Sequence, residues 1–156
     1  MSSETTPTVE VQGYELALDR GYEPATHIWA LVVSPDRVRL GMDPLGVETG
    51  GALAQLALVP VGTDVRRGEP LGSVEAEKFV GPLRAPISGT VVAQNSAAVA
   101  DPGLVHRDPL GAGWLVDLAP SDLDAERALL IEGAEQVVPW FEHKIAEYRL
   151  KGVLAE

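Results

Sequence analysis

Lys78 lies in the run Val74-Glu75-Ala76-Glu77-Lys78-Phe79-Val80-Gly81-Pro82 and is one of three lysines in a chain of 156 residues. The other two, Lys144 and Lys151, fall near the C-terminus, and the remaining cationic residues before His143 are all arginine. A coding bias that replaces lysine by arginine explains the background but not the exception. A lysine amine can lose its proton and be acylated, whereas a guanidinium stays protonated. The residue type therefore marks Lys78 as a covalent attachment point. Glu75 and Glu77 flank it and offer a modifying enzyme an acidic handle. The plainer reading of the pair is a solvated hairpin face with a weak cross-strand ion pair.

No rival catalytic set emerges. The chain has no cysteine, which removes disulfides, thiolate metal sites, iron–sulfur ligation and a cysteine nucleophile together. The three histidines, His27, His106 and His143, lack metal-like spacing. His27 opens an apolar run and reads as a packed histidine, while His106 and His143 read as exposed. Ser88, before Gly89, has no base nearby in sequence and reads as a turn residue. Asp43, Asp101 and Asp108 each precede proline, which favours turn initiation over carboxylate catalysis. Gly111-Ala112-Gly113 lacks the run into a helix that a dinucleotide fingerprint needs. The chain reads as a carrier and not as an enzyme.

Composition narrows the partners. A formal charge of −11 argues against nucleic acid, whose phosphates need a basic face. No apolar run approaches the roughly 20 residues of a membrane span. Residues 1–10 are polar and acidic, without the basic-then-apolar order of a signal peptide, so a cytoplasmic protein is expected.

A tethering lysine needs a rigid base, and the elements around it supply one. Residues 1–10 read as a disordered tail. Tyr14–Leu18 is a short strand, Asp19–Thr26 a loop and His27–Val33 an apolar strand. Arg37–Met42 alternates with period 2 and pairs with it across Ser34-Pro35-Asp36. Asp43–Gly51 reads as a glycine-rich turn and Leu53–Val59 as another strand. Two turn-rich modules follow, Val61–Leu71 and Ile87–Asn95, and Glu77-Lys78 falls at the reversal between strands. With Gly81 three residues late, that reversal is a longer loop or a bulge rather than a tight turn. Ser96–Gly113 reads as a long loop, and Trp114–Leu118 closes the sheet. The period then changes. Ser121 is an N-cap candidate, Gly133 a break, Pro139 the first turn of a last helix and Gly152 its stop. The expectation is an all-β domain over 11–120 with a helical appendage over 121–156.

Four segments resemble the H proteins of the glycine cleavage system. His27-Ile28-Trp29 resembles the family's His-x-Trp strand. Val61–Leu71 resembles its Gly-x-x-Val-x-x-Gly-x-x-Leu hairpin. Val74–Lys78 with Ala85-Pro86-Ile87-Ser88-Gly89-Thr90-Val91-Val92 and Asn95 resembles the lysine hairpin, which lipoyl domains of 2-oxo acid dehydrogenases share. Asp101–Val116 resembles the family's Asn-Pro-x-Leu-Val-Asn-x-Asp-Pro-Tyr-Gly-x-Gly-Trp-Leu, and within it Pro109–Leu115 is the strong discriminator for the H-protein branch. Biotinyl domains usually carry Met on both sides of the lysine; here the neighbours are Glu77 and Phe79. The chain also departs from the family pattern. Ala76 stands where Ser is usual, His106 where Asn is, and Leu110 where Tyr is. The run Phe79-Val80-Gly81-Pro82 resembles lipoate-binding proteins tied to a heterodisulfide-reductase-like sulfur-oxidation system.

The resemblance implies a lipoyl/biotinyl-type flattened β-barrel, a barrel-sandwich hybrid, with C-terminal helices. It implies lipoate in amide linkage to Lys78, with Glu75 and Glu77 recognised by a lipoate–protein ligase or an equivalent enzyme. The arm would shuttle an intermediate between partner enzymes, the cofactor supplying the chemistry and the protein the orientation. On Phe79–Pro82 the first expectation for the partner is the heterodisulfide-reductase-like complex. The alternative is the glycine cleavage set of decarboxylase, aminomethyltransferase and dihydrolipoyl dehydrogenase, with an aminomethyl cargo. An unmodified β-domain adaptor is the competing class.

Overall fold

The computed structural model describes residues 6–154. Two sheets face each other across one apolar core. The larger has six strands in the order β3 (Gly21–Tyr22), β4 (Ile28–Ser34), β5 (Arg37–Met42), β11 (Val116–Pro120), β10 (Gly89–Gln94) and β7 (Asp64–Val65). The smaller has β6 (Leu53–Leu58), β8 (Pro70–Ala76) and β9 (Val80–Arg84). All pairings are antiparallel, so each strand presents alternate residues to the core. Val38 and Leu40 from the larger sheet meet Leu56, Val74 and Leu83 from the smaller, all buried. This is the flattened barrel-sandwich expected.

Several sequence expectations need correction. The tail expected over residues 1–10 is shorter, because β1 (Thr8–Val11) pairs with β2 (Tyr14–Ala17) and buries Val11; Met1–Thr5 lie outside the described residues. Asp19–Thr26 is not all loop, since β3 pairs with Ala30 and Trp29. Asp43–Gly51 is not a turn but helix α1 (Pro44–Gly50). Asp43 caps it, its Oδ1 accepting from the Gly46 amide at 2.8 Å, and Pro44 occupies the first turn, where a missing N–H costs nothing. Ser96–Gly113 holds two short helices, α2 (Ser96–Ala100) and α3 (Gly103–Arg107). Asp122, not Ser121, precedes α4 (Leu123–Arg127).

The last helix, α5 (Ala134–Leu150), starts before Pro139 and contains it. It begins at Gly133, whose φ of +80° turns the chain, and its reward is a stripe at i, i+4 and i+8: Val137, Phe141 and Ile145 are all fully buried. They join Val11, Leu16, Trp29 and Leu45 in a second apolar cluster between β1–β2, α1 and α5. Tyr14 meets Phe141 edge to face at 5.7 Å. Gly152, at φ +73°, ends the helix as expected.

Polar anchors fix the segment with the strongest resemblance. Asp108 Oδ2 accepts from the Ala112 amide, and Asn95 Nδ2 donates to the carbonyls of Ala112 and Trp114 at 2.7 Å. The Trp29 indole donates to the Pro109 carbonyl at 3.1 Å. Nearby, the fully buried Asp117 carboxylate takes hydrogen bonds from Arg37 (2.9 Å) and Arg39 (2.8 and 3.1 Å), and the Arg39 guanidinium stacks on Trp114. Burial pushes the Asp117 carboxyl up, but the two arginines outweigh it and hold it below the usual carboxylate range.

Candidate functional site

Glu77, Lys78 and Phe79 form the turn between β8 and β9, whose last paired residues are Glu75 and Val80. It is tighter than the longer loop or bulge expected: the register holds without a slip from Gly72↔Leu83 to Glu75↔Val80, which sets Ala76 opposite Phe79 and leaves Glu77 and Lys78 between them. Lys78 is exposed. Its backbone is nevertheless held firmly. The Ala76 amide donates to the Phe79 carbonyl at 2.8 Å and closes the turn from within. The Lys78 amide donates to the Gly50 carbonyl at 2.9 Å, and the Glu77 amide donates to the Ala52 carbonyl at 3.1 Å. The tip is thus bonded by its own main chain to the C-terminal end of α1. In return Glu77 Oε1 accepts from the Ala52 amide at 3.0 Å. Glu77 is therefore a fastener of the tip, whereas Glu75 stands exposed on β8. The sequence pattern gave both carboxylates one role; the structure separates them.

Gly51 makes this junction possible. Its φ of +81° and ψ of −166° fall in a region essentially reserved for glycine. A Cβ there would stand 2.8 Å from Glu77 Oε1 and 3.0 Å from Glu77 Cβ. At Gly46 a Cβ would come within 2.6 Å of His27 Cβ, so α1 lies directly on that histidine.

His27 is the residue the sequence under-read. It is satisfied and largely covered, as expected for a packed histidine, but it is also a non-glycine residue at φ +65°. Its Nδ1 lies 3.2 Å from Asp43 Oδ2 and its Nε2 2.6 Å from the Tyr148 hydroxyl. A carboxylate only accepts, so Nδ1 carries the proton in the neutral ring and Nε2 accepts from Tyr148. Burial, and then the Asp43 charge, raise the Tyr148 phenol above its ordinary value, which keeps it a donor. These three residues are 16 and 121 positions apart, so no local motif could have announced them. The only available signal was the Asp43-Pro44 helix start.

A cleft of about 270 Å³ opens beside Lys78, lined by Thr26, His27, Met42, Thr49, Phe79 and Val153 among others. It joins the tip, α1, the loop before β4 and the segment after α5. Thr26 Oγ1 is buried there without a hydrogen-bond partner, and such a group is costly to leave unmet. A long acyl arm on Lys78 fits this setting: an exposed amine for the linkage, a fixed base, and an adjoining cleft with apolar walls and an unmet hydroxyl. His106 is exposed on α3 and His143 on α5, and neither joins the site. Ser88 lies at the far end, where its amide and hydroxyl both donate to Glu126. Among the described residues no three His, Asp or Glu side chains converge as a metal site, and no helix is long and apolar enough to cross a membrane.

Comparison with known proteins agrees with this geometry. A family model described as glycine cleavage H-protein matches residues 21–142. Glycine cleavage system H protein 2 of Aquifex aeolicus is 31% identical over 139 residues, 89% of this chain and 83% of the relative. The glycine cleavage system H protein of Mycobacterium leprae is 41% identical over 101 residues, 65% of this chain and 76% of the relative. The crystal structure of a glycine cleavage system H protein from Mycobacterium marinum superposes with a TM-score of 0.64 at 40% identity, covering 68% of this chain and 87% of that one. The chain belongs to the glycine cleavage H-protein family, whose members are lipoate carriers and not catalysts.

Proposed function

We propose that Lys78 is the lipoylated residue and that the protein carries an aminomethyl group between the enzymes of glycine cleavage. The observation that supports this best is the backbone anchoring of an exposed lysine to the end of α1, in a chain of the H-protein family. The partners on this reading are a lipoylating enzyme, a decarboxylase, an aminomethyltransferase and dihydrolipoyl dehydrogenase. Lipoate supplies a reversible dithiol–disulfide pair, and with no cysteine in the chain it meets no internal thiol. The protein's own residues do three things. The tip fixes the root of the arm, so that each encounter with a partner site has a high effective concentration. Glu75 stays free on β8 for recognition by the modifying enzyme. The cleft offers the arm a resting place.

The family comparisons favour glycine cleavage over the sulfur-oxidation role that Phe79–Pro82 led us to expect first, and no comparison supports a heterodisulfide-reductase-like partner. One observation keeps sulfur as a second reading: Phe79 and Pro82 line the cleft itself, so the run that departs from the H-protein pattern is in contact with the arm's surroundings. Intact mass after co-expression with a lipoate ligase tests the carrier. A lipoyl increment is expected in the natural chain and not in Lys78→Arg; an increment that survives the substitution refutes the assignment. Glycine–bicarbonate exchange by glycine decarboxylase then tests the cargo, and failure of the lipoylated protein to support it would transfer the proposal to sulfur.

A further inference from the structure

We infer that a second cleft, between the β1–β2 hairpin, α1 and the Asp108–Leu110 segment, is a docking site for a cationic side chain of an enzyme that the arm visits. The identity of that enzyme rests on the reading of Lys78 as the lipoylated residue; the docking site does not. The cleft holds about 280 Å³, small for a whole ligand and suited to one long side chain. Tyr14, Pro44, Val47, Pro109 and Leu110 give it apolar walls. It shares α1 with the lysine tip: Val47 and Glu48 line this cleft, while the Gly50 carbonyl at the end of the same helix takes the Lys78 amide. A helix of seven residues is about 10 Å long, so a partner anchored here has its surface next to the root of the arm. The hairpin wall precedes residues 21–142, the span that matches the family model, and the other walls fall within it.

Charge decides what the cleft accepts. Three carboxylates, Glu15, Glu48 and Asp108, line it against one guanidinium, Arg107, which Asp101 already holds at 2.6 Å. Asp108 Oδ2 is on the Ala112 amide. Glu15 and Glu48 are exposed and have no cationic partner among the described residues. Glu10 stands directly opposite Glu15 in the hairpin, a like-charge pair that a sheet disfavours. Burial, and then the Glu48 charge, raise the Tyr14 phenol above its ordinary value. Arg149 pulls the other way and is itself bonded to the Gln12 side chain at 2.9 Å. An arginine or lysine stem would cover the apolar walls while its head meets Glu15 and Glu48. An anionic side chain would be repelled, and an apolar one would leave both glutamates without a partner.

The test uses the unlipoylated chain. It is titrated with N-acetyl-arginine methylamide and, in parallel, with the citrulline counterpart, which has the same stem and a neutral head. The amide resonances of Tyr14, Glu15, Val47 and Glu48 are followed. The arginine probe is expected to shift them and to bind roughly fivefold more tightly than the citrulline probe. Replacing both glutamates, Glu15→Gln with Glu48→Gln, is expected to abolish that difference. Glu75→Gln, which removes an exposed carboxylate from β8 instead, is expected to keep it. Shifts from neither probe, equal binding of the two, a preference that survives the double replacement, or one that Glu75→Gln also abolishes, each overturn the inference. A chain that takes no lipoyl mass from a lipoate ligase overturns the reading of Lys78 and leaves the titration as it was, so the two failures are distinct.

Discussion

Gly51→Ala probes the joint that holds Lys78. The new methyl group meets two obstacles: a backbone conformation that side chains avoid, costing ~1–3 kcal/mol, and Glu77, 2.8–3.0 Å away. The chain relieves both by letting the tip go. That breaks the bonds Lys78 N–Gly50 O and Glu77 N–Ala52 O, each worth ~0.5–1.5 kcal/mol net. The strain and the bonds are alternatives, since releasing the tip removes the strain. Counting the Ala52 N–Glu77 Oε1 bond that goes with them, releasing the tip is expected to cost about 1.5–4.5 kcal/mol. Gly62→Ala is the control: it too has positive φ, +95°, but a Cβ there meets nothing within 4 Å. It is expected to cost ~1–2 kcal/mol, the ordinary price of a left-handed alanine. Urea unfolding gives the totals. Amide exchange gives the location: Lys78 and Glu77 are expected to exchange faster by at least tenfold in Gly51→Ala and unchanged in Gly62→Ala. Should Gly51→Ala cost no more than the control, with the Lys78 and Glu77 amides still protected, the account of the tip as bonded to α1 fails.

Asp117→Asn is expected to cost ~1–3 kcal/mol by urea unfolding, less than a fully buried pair because Arg37 and Arg39 remain 45% and 34% exposed. The Asp117 carboxyl is held below its unfolded value, so its contribution is complete above about pH 4 and is lost as pH falls through the folded value. The variant should therefore lose stability less steeply than the natural chain below that pH. Phe141→Ala empties a fully buried site between α5 and Tyr14 and is expected to cost ~3–5 kcal/mol in the same measurement. Tyr148→Phe removes the donor to His27 Nε2 and is expected to cost ~1 kcal/mol, with the His27 ring nitrogens shifting in nitrogen NMR.

The strands were legible wherever one face is wet. Arg37–Met42 alternates in sequence and pairs as read, because Arg37 and Arg39 reach outward while Val38 and Leu40 fill the core. The place of Lys78 at a strand reversal was legible because turn signals bracket it, and the structure leaves it exposed there. The misses have physical causes that local pattern does not carry. Short helices such as α1 and α2 have too few turns to show a period, and they form because the core accepts Leu45, Val47 and Ala98. Pro139 pointed to a helix start, yet burial of Val137 carried the helix past it. The fastening of Glu77 to Ala52 and the bonding of His27 to Asp43 and Tyr148 join residues distant in sequence, and neither leaves a mark on local pattern.

The small apolar cluster has a consequence for the order of assembly. It unites Val11 and Leu16 with Val137, Phe141, Ile145 and Leu154, while the main core draws its residues from Ile28 to Leu130. During synthesis the sandwich around Lys78 has all its strands once β11 has emerged. The clamp made by α5, and with it the bond from Tyr148 to His27 and the Val153 wall, must wait for the final turn of the helix. If Lys78 is the lipoylated residue, as proposed above, a modifying enzyme has a window in which the lysine tip is built and its cleft still lacks a side.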